Sequence, residues 1–589
     1  MTDMLRDLIR QADEGRCVYL SRVRDTFRKM DIQIGCRVDL TLGGTMSYLI
    51  RLPLPRDPVE DAFVREYFYA RIYNLISVLG GKSMTLTVPA GFAWARELCG
   101  SLLSVFDVGK AKSERKGYGK CLNVTDRANE ALRCAPFRFL IEEGEPQAPA
   151  PKRKAPGRDA ASAFRRAVLN ARSDRLCGMD VGGTDIKVVG VLDGKIRAVK
   201  EYDWHPAMFR HIDELIQPLL LLARVMRAAL SVTDDSSREL LDARERMLDK
   251  SAPLETMDTS AAQIENALDT PGFDAIGVCF PDVVIDDMIV GGETLKTRGI
   301  REASPDYEKE FPKLTVLKDL LGPYLASGGL VRMANDGSMA AYTAAAELTS
   351  CPGKATEVPD GIFAHTLGTE LGSGWIDEEG KIPQIPLEVY NCIIDLGSRP
   401  ARAYGVLDLR STRNFNTGIA GTLQKYASQS GAYRLMFKHF NEGQLRELYN
   451  AGLIIRRGGG VFAVTDPADM RKPLLERVMS MACQGIPEAE EVFREIGEYL
   501  AVTWEETEDI LCPMTKQRVL FGRFVKKRRV FELMQEGAAR LLPVMLQAAD
   551  DSMAYTPLML DLRNDPVYTV AQFGQAVGAV YYAAAGRVL

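Results

Sequence analysis

Alternation of apolar and polar positions divides the chain into runs that read as strands and helices. Leu5 to Ala12 repeats apolar residues at helical spacing, while Ile32–Asp39 and Met46–Leu52 alternate as strands around Gly43-Gly44. Val64–Leu79 has the period of a helix and carries several tyrosines, and Met84–Val88 alternates again as a strand. Glu143 to Asp159 breaks the pattern. It is rich in proline, alanine and charge, without periodic apolar residues, which is the composition of a stiff linker. Beyond it, Leu176 to Asp180 and Ile186 to Leu192 read as strands joined through Gly182-Gly183, with a hairpin turn at Asp193-Gly194. Ile212–Leu230 and the charged Arg238–Met257 are helical, and Ala275–Phe280, Leu330–Ala334 and Ile362–Thr366 are short apolar strands. Ser338–Leu348 is an Ala-rich helix. The last third is mostly helical, at Glu488–Ile510, from about Val530 to Gln547, and at Val570–Ala585, with a strand at Arg518–Phe521. The pattern predicts an α+β unit over 1–143, a linker over 144–173 and an α/β region over 174–589.

Composition narrows the class. A chain of 589 residues with net charge −5 offers no general attraction to nucleic acid or to anionic lipid. Its 11 cysteines are scattered singly, which argues for reduced thiols and a cytoplasmic setting rather than a disulfide framework. The 4 histidines lie far from any cysteine pair, so no zinc cluster is expected. Met1–Gln11 lacks an apolar signal core, and no run of roughly eighteen apolar residues is present to span a membrane. The basic cluster between Lys110 and Lys120 suits a phosphate or nucleic-acid contact, but as a charge run it reads first as a solvated loop.

Three stretches carry candidate chemistry. In Asp180-Val181-Gly182-Gly183-Thr184-Asp185-Ile186-Lys187 a strand ends in a carboxylate. Two glycines then allow a tight turn whose N–H groups no Cβ shields from a polyanion. Asn335-Asp336-Gly337 places an acid at the carboxyl end of a strand, just before a helix; there it caps the helix or performs chemistry. Leu367-Gly368-Thr369-Glu370-Leu371-Gly372-Ser373-Gly374 is a second Gly/Thr/Ser turn between strands. Two such turns can clamp a nucleoside triphosphate from both sides. The Gly291–Gly299 loop between them is polar and suited to ligand contact.

In this order the three stretches resemble motifs of the ROK (repressor, open reading frame, kinase) sugar kinases, members of the actin/hexokinase/heat-shock chaperone superfamily. The resemblance covers roughly residues 174–589 and leaves 1–143 unexplained. It implies two ribonuclease-H-like α/β lobes around a cleft, the actin-like ATPase fold. Lobe I would span about 174–345 plus the terminal helix 570–589, and lobe II about 346–569. It also implies a phosphotransferase that moves a phosphoryl group from ATP, with Mg²⁺, to a hydroxyl of a hexose or related sugar. Asp180 would hold Mg²⁺ through water. Gly182, Gly183 and Thr184, with Lys187, would line the phosphates, and Gly368, Thr369 and Gly372 would cradle them from the other side. Gly522 would sit at the adenosine end. Asp336 would be the general base, and Asn335, Glu388, Glu293 and Asp282 would lie on the sugar side. The sequence departs from the family at Glu370, at Phe521-Gly522-Arg523 and at Pro281-Asp282, and lacks its His and Cys-x-Cys-Gly zinc ligands. The alternative is a non-catalytic ROK-like sugar sensor. The expected partner is a small sugar, with no nucleic acid and no membrane; a homodimer is left open.

Overall fold

The computed structural model describes residues 4–31, 33–147, 160–304, 306–351, 360–367, 371–397, 404–414, 416–464, 471–549 and 553–587. Gly368, Thr369 and Glu370 of the second turn, and residues 148–159 of the linker, lie outside the described residues.

Two sheets frame a cleft. The first has five strands in the order Leu325–Asn335, Phe273–Phe280, Leu176–Val181, Asp185–Leu192, Lys195–Asp203. Its first three strands run parallel and the last two complete an antiparallel meander. The second sheet repeats the plan with Leu371–Ile376, Ile362–Leu367, Gln517–Gly522 and Met545–Ala548, an antiparallel hairpin followed by parallel strands. Both therefore have the ribonuclease-H-like strand order, the second without an outer strand among the described residues. Leu176–Val181 is buried at five of six positions, as a central strand covered on both faces must be.

Glycines let the C-terminal helix Val570–Ala585 lie close on the first sheet. A Cβ on Gly178 would collide with the Ala576 carbonyl, and one on Gly277 with that of Ala579. Neither obstacle is a flexible side chain, so Gly277→Ala is expected to destabilise the protein by about 3 kcal/mol, read as a lower denaturation midpoint at unchanged slope. The helix Asp336–Ser350 joins the lobes. Its alanines pack against both the C-terminal helix and Ile362, Ala364 and Ile376 of the second sheet. At its start Gly337 and Gly374 approach backbone to backbone, where a Cβ on either would meet the other strand.

Residues 4–143 form a third sheet, ordered Thr45–Pro53, Gln33–Thr41, Ser83–Val88, Arg138–Glu143. The helix Pro58–Leu79 begins with Asp57 accepting from the Val59 and Glu60 N–H groups. From Tyr67 to Leu79 every residue is buried, because this helix lies between its own sheet and the second lobe. One apolar core runs from Val64, Phe68 and Leu75 into Phe363, Trp375, Val389, Ile393 and Ile510. An ionic network crosses the same interface. Arg71 contacts Glu506 and Asp509 in the helix Pro487–Leu511, Arg24 Nη1 lies 3.3 Å from Glu506, and Asn74 Nδ2 donates to both Glu506 and the Ile393 carbonyl.

Local patterning misplaced four elements. The linker expected over 144–173 ends sooner, because Ala160–Asn170 is a helix whose Phe164 and Ala167 are buried in the core with Val570–Ala585. Arg238–Met257 is two helices, Arg238–Leu248 and Leu254–Ala267, divided by a turn before Pro253. The helix expected up to Gln547 ends at Ala539, four residues before Pro543, and Met545–Ala548 is an edge strand. The Lys110–Lys120 segment is solvated only in part. Arg115 is buried against Asp126 at 2.6 Å, and Lys120 enters the cleft. Among the described residues no helix is long and apolar enough to cross a membrane.

Candidate active site

A cavity of about 600 Å³ opens between the sheets. Gly183 and Thr184 of the first turn and Leu371, Gly372 and Ser373 of the second share its wall, with Asn335 and Asp336. The two turns, 188 residues apart in the chain if counted from Gly183 to Leu371, thus meet at one site. The first turn is tight because the Gly182 N–H donates to the Asp185 carbonyl at 2.8 Å, while Trp204 Nε1 donates to the Gly182 carbonyl at 3.0 Å. In the second turn a Cβ on Gly372 would meet Thr366 Oγ1 at 2.5 Å and stand 3.5 Å from Asp336 Oδ1. Only glycine leaves that space open beside the acid.

Asp336 is the first residue of its helix, but the cap is Asn335. Its Oδ1 accepts from the Gly337 N–H at 2.9 Å and its Nδ2 donates to the Asp282 carbonyl at 2.9 Å. Both polar atoms of Asn335 are thereby engaged. Asp336 Oδ1 also accepts from Gly337 N–H, at 2.7 Å, and the carboxylate faces the cavity. Asp282 lines the cavity, yet its carboxylate is turned into the neighbouring loop. It accepts from Val283 and Gly292 N–H groups in space that Gly291 leaves free. Glu293 accepts from Asn123 Nδ2 at 2.5 Å and lies 3.5 Å from Arg127 Nη2. Glu388 takes a hydrogen bond from Asn391.

Asp180, Gly182, Lys187 and Gly522 do not line this cavity. Asp180 lies behind the first turn, opposite Lys187 in register, and feels the charge of Asp336. Lys187 departs from the expectation that it meets phosphate. Residues two apart on a strand share a face, so its ammonium is held by Asp185. Gly522 has φ +101° and pairs with Leu367, directly before the undescribed part of the second turn.

Burial governs the acids. It raises Asp180 to about 6, with Lys187 opposing and Asp336 adding to the rise. Asp282 is likewise raised to about 6 by burial, against the two N–H groups it accepts. Glu388 is raised further, to about 8, by burial and then by the charges of Asp282 and Asp336. It is therefore a neutral acid at pH 7 and a hydrogen-bond donor. A carboxyl with a folded-state pKa above its unfolded value of about 4.5 costs stability progressively as pH rises from there to about 8. Glu388→Gln is accordingly expected to stabilise the unliganded protein at pH 8 by about 2 kcal/mol relative to pH 5, allowing for water in the cavity. Melting temperatures at the two pH values check the sign.

Several residues at the site carried no such signal in the sequence. Lys296 projects over the first turn, its Cε 3.3 Å from where a Gly183 Cβ would be, and makes no ion pair among the described residues. His365 is buried behind Ser373 and Tyr390, whose hydroxyl oxygens lie 3.1 and 2.8 Å from Nδ1. Burial, then Arg518, lowers the pKa of the imidazole and keeps it neutral. Residues 4–143 supply a further part of the wall, including Tyr73, Ile76, Ser77, Lys120, Val124 and Thr125.

No protein-family model and no curated protein sequence matches the chain. Solved structures similar to it include a ROK family glucokinase from Streptomyces griseus in complex with glucose and AMPPNP. It is 15% identical, with TM-score 0.38, over 69% of this chain and 98% of that one. A ROK hexokinase from Thermus thermophilus is 14% identical with TM-score 0.38, over 69% and 97%. A ROK family transcriptional regulator homologous to the E. coli MLC protein is 15% identical with TM-score 0.34, over 72% and 90%.

Proposed function

We propose that this chain transfers a phosphoryl group from ATP to a hydroxyl of a hexose or related sugar. One observation carries the reading: Asp336 stands in a single cavity with residues of both glycine turns, Lys296 and Glu388. Phosphoryl transfer asks a protein mainly for positioning and for charge stabilisation. The first turn at Gly183-Thr184 and the second at Gly372-Ser373 flank a polyphosphate from opposite sides, and Lys296 adds a cation above Gly183. Gly522 marks the adenosine end. Bound ATP would supply the transferable group and Mg²⁺ would neutralise its charge; Asp180, behind the first turn, would hold the ion through water, and its carboxyl, raised first by burial and less by Asp336, would gain from a nearby cation.

On the acceptor side, Glu388 donates to a sugar oxygen and Asn391 keeps it oriented. Asn335 and Asp282 hold the strand end that carries Asp336 against the Gly291-Gly292 loop. Asp336 accepts the proton of the attacking hydroxyl as its oxygen bonds to the γ-phosphorus and the bond from that phosphorus to the bridging oxygen breaks, releasing ADP. The test is ³¹P NMR of the full chain with Mg-ATP and a panel of hexoses and sugar acids. A new phosphate-ester resonance that grows as ATP falls is expected, and ATP that stays intact with every acceptor refutes the activity.

A second reading, a sugar sensor without catalysis, is favoured by the bonds that tie residues 4–143 to both lobes at the cavity rim. It predicts that sugars raise the melting temperature while Mg-ATP, far above any working Kd, leaves it unmoved.

A further inference from the structure

The region of ROK-like pattern does not complete its own acceptor pocket. The Leu387 and Glu388 N–H groups donate to the carbonyls of Val78 and Ser77 at 2.9 and 3.1 Å, so the end of the Pro58–Leu79 helix sets where Glu388 stands. The Ser77 hydroxyl, beside that of Tyr73, is buried on the cavity wall, and among the described residues it has no hydrogen-bond partner of good geometry. The residue is 5% exposed. A buried hydroxyl in that state awaits a partner. The helix Cys121–Ala131 closes the other side. Its Arg127 binds the Gly291 carbonyl and Glu308, and Asn123 binds Glu293.

Just before that helix, Lys120 reaches the cavity with its charge barely met. Its Nζ is 4.0 Å from Glu293 Oε1, an oxygen that already serves Asn123 and Arg127. The neighbouring cations have close partners of their own: Lys112 with Glu130 at 2.7 Å, Arg115 with Asp126 at 2.6 Å, Arg127 with Glu308 at 2.5 Å. Of the cavity's other acids, Asp282 is satisfied by backbone N–H groups, Asp336 accepts from the Gly337 N–H, and Glu388 has its pKa raised by burial; among the described residues none of the three pairs with Lys120.

We propose that residues 1–143 supply the acceptor-specificity wall of this site, with Ser77 binding an acceptor hydroxyl and Lys120 binding a negatively charged substituent, so that the acceptor is a sugar bearing a carboxylate or phosphate. The term acceptor rests on the kinase reading; the binding preference does not. The experiment uses the full chain with glucose, gluconate and glucose 6-phosphate, scored by calorimetric Kd and by kcat/KM with Mg-ATP. At least one anionic compound is expected to exceed glucose by about tenfold or more in both, the two anions separating carboxylate from phosphate recognition. Lys120→Met should reduce that preference below about threefold, and Lys120→Arg should restore it. Ser77→Ala should raise KM for all three compounds about tenfold with kcat within a factor of two. Lys110→Met, whose exposed ammonium pairs with Asp107 at 2.6 Å, should behave as wild type. A wild type that prefers glucose, or a Lys120→Met protein that keeps the anion preference, overturns the proposal. Anion binding that Lys120→Met removes, in a chain with no turnover, upholds it while refuting the kinase activity.

Discussion

Asp336→Asn is expected to lower kcat by roughly 10²–10⁴-fold, about 3–5 kcal/mol of barrier, while acceptor affinity changes little. The substitution is close to isosteric and does not uncap the helix, because Asn335 is the cap. Its amide can still hydrogen-bond an acceptor hydroxyl but cannot take that hydroxyl's proton. Removing the charge has a second, opposite consequence. Asp336 raises both Asp180 and Glu388, so in the variant both carboxyls should titrate at lower pH and the unliganded protein should lose less stability on going to pH 8. Loss of turnover with equal or greater stability is the signature of a general base. Turnover at the wild-type rate removes Asp336 from the mechanism, and equal losses of turnover and stability mark it as structural.

The site was legible where chemistry is local. Gly182-Gly183 and the acid at 336 sit at strand ends, and a strand end is readable from a few consecutive residues. Meeting of the two turns in one cavity also follows from strand order, since each turn belongs to the hairpin of its own sheet. Lys187 misled because chain proximity to the turn was read as spatial proximity, whereas strand alternation gives its ammonium to Asp185. Lys296 lay in a loop recognised as suited to ligand, but its place above Gly183 depends on how that loop folds back. Ser77 had no sequence signal, and Lys120 only that of a basic run. One ends an apolar helix and the other ends a basic run, and each gains meaning only from Glu388 and Glu293, more than 170 residues away. The expectation of a solvated loop at Lys110–Lys120 failed for the same reason. Glu308 and Glu293, which draw that cluster inward, are remote in the chain. Periodicity could show that Val64–Leu79 is helical; that its last turns are buried on all sides requires the second lobe.

Glu506→Ala is expected to cost about 3–5 kcal/mol of stability, the largest effect of any substitution outside the cleft, and to weaken acceptor binding as well. Glu506 is 1% exposed in its side chain and faces Arg71 at 3%. Arg24 and Asn74 meet the same carboxylate at 3.3 and 3.1 Å. Truncation leaves these donors buried, with Asp509 and the more exposed Asp25 as the carboxylates still beside them among the described residues. Burial alone would raise Asp509, but Arg71, Arg24 and Arg28 hold it at about 2. Because this folded pKa is depressed, its contribution of about 2 kcal/mol is present above pH 4 and fades as pH falls toward 2. The wild type should therefore loosen at this interface in acid, and Glu506→Ala should do so at neutral pH. Asn74 links the network to the pocket. It holds both the N–H and the carbonyl of Ile393, five residues beyond Glu388, while Ser77 one helical turn on holds the N–H of Glu388 itself. Hydrogen exchange should then rise first in Pro58–Leu79 and around residues 387–396, with acceptor KM increasing before kcat falls. A variant that loses stability with exchange unchanged in those two segments would show that the network supports the second lobe alone, and that the pocket wall stands without it.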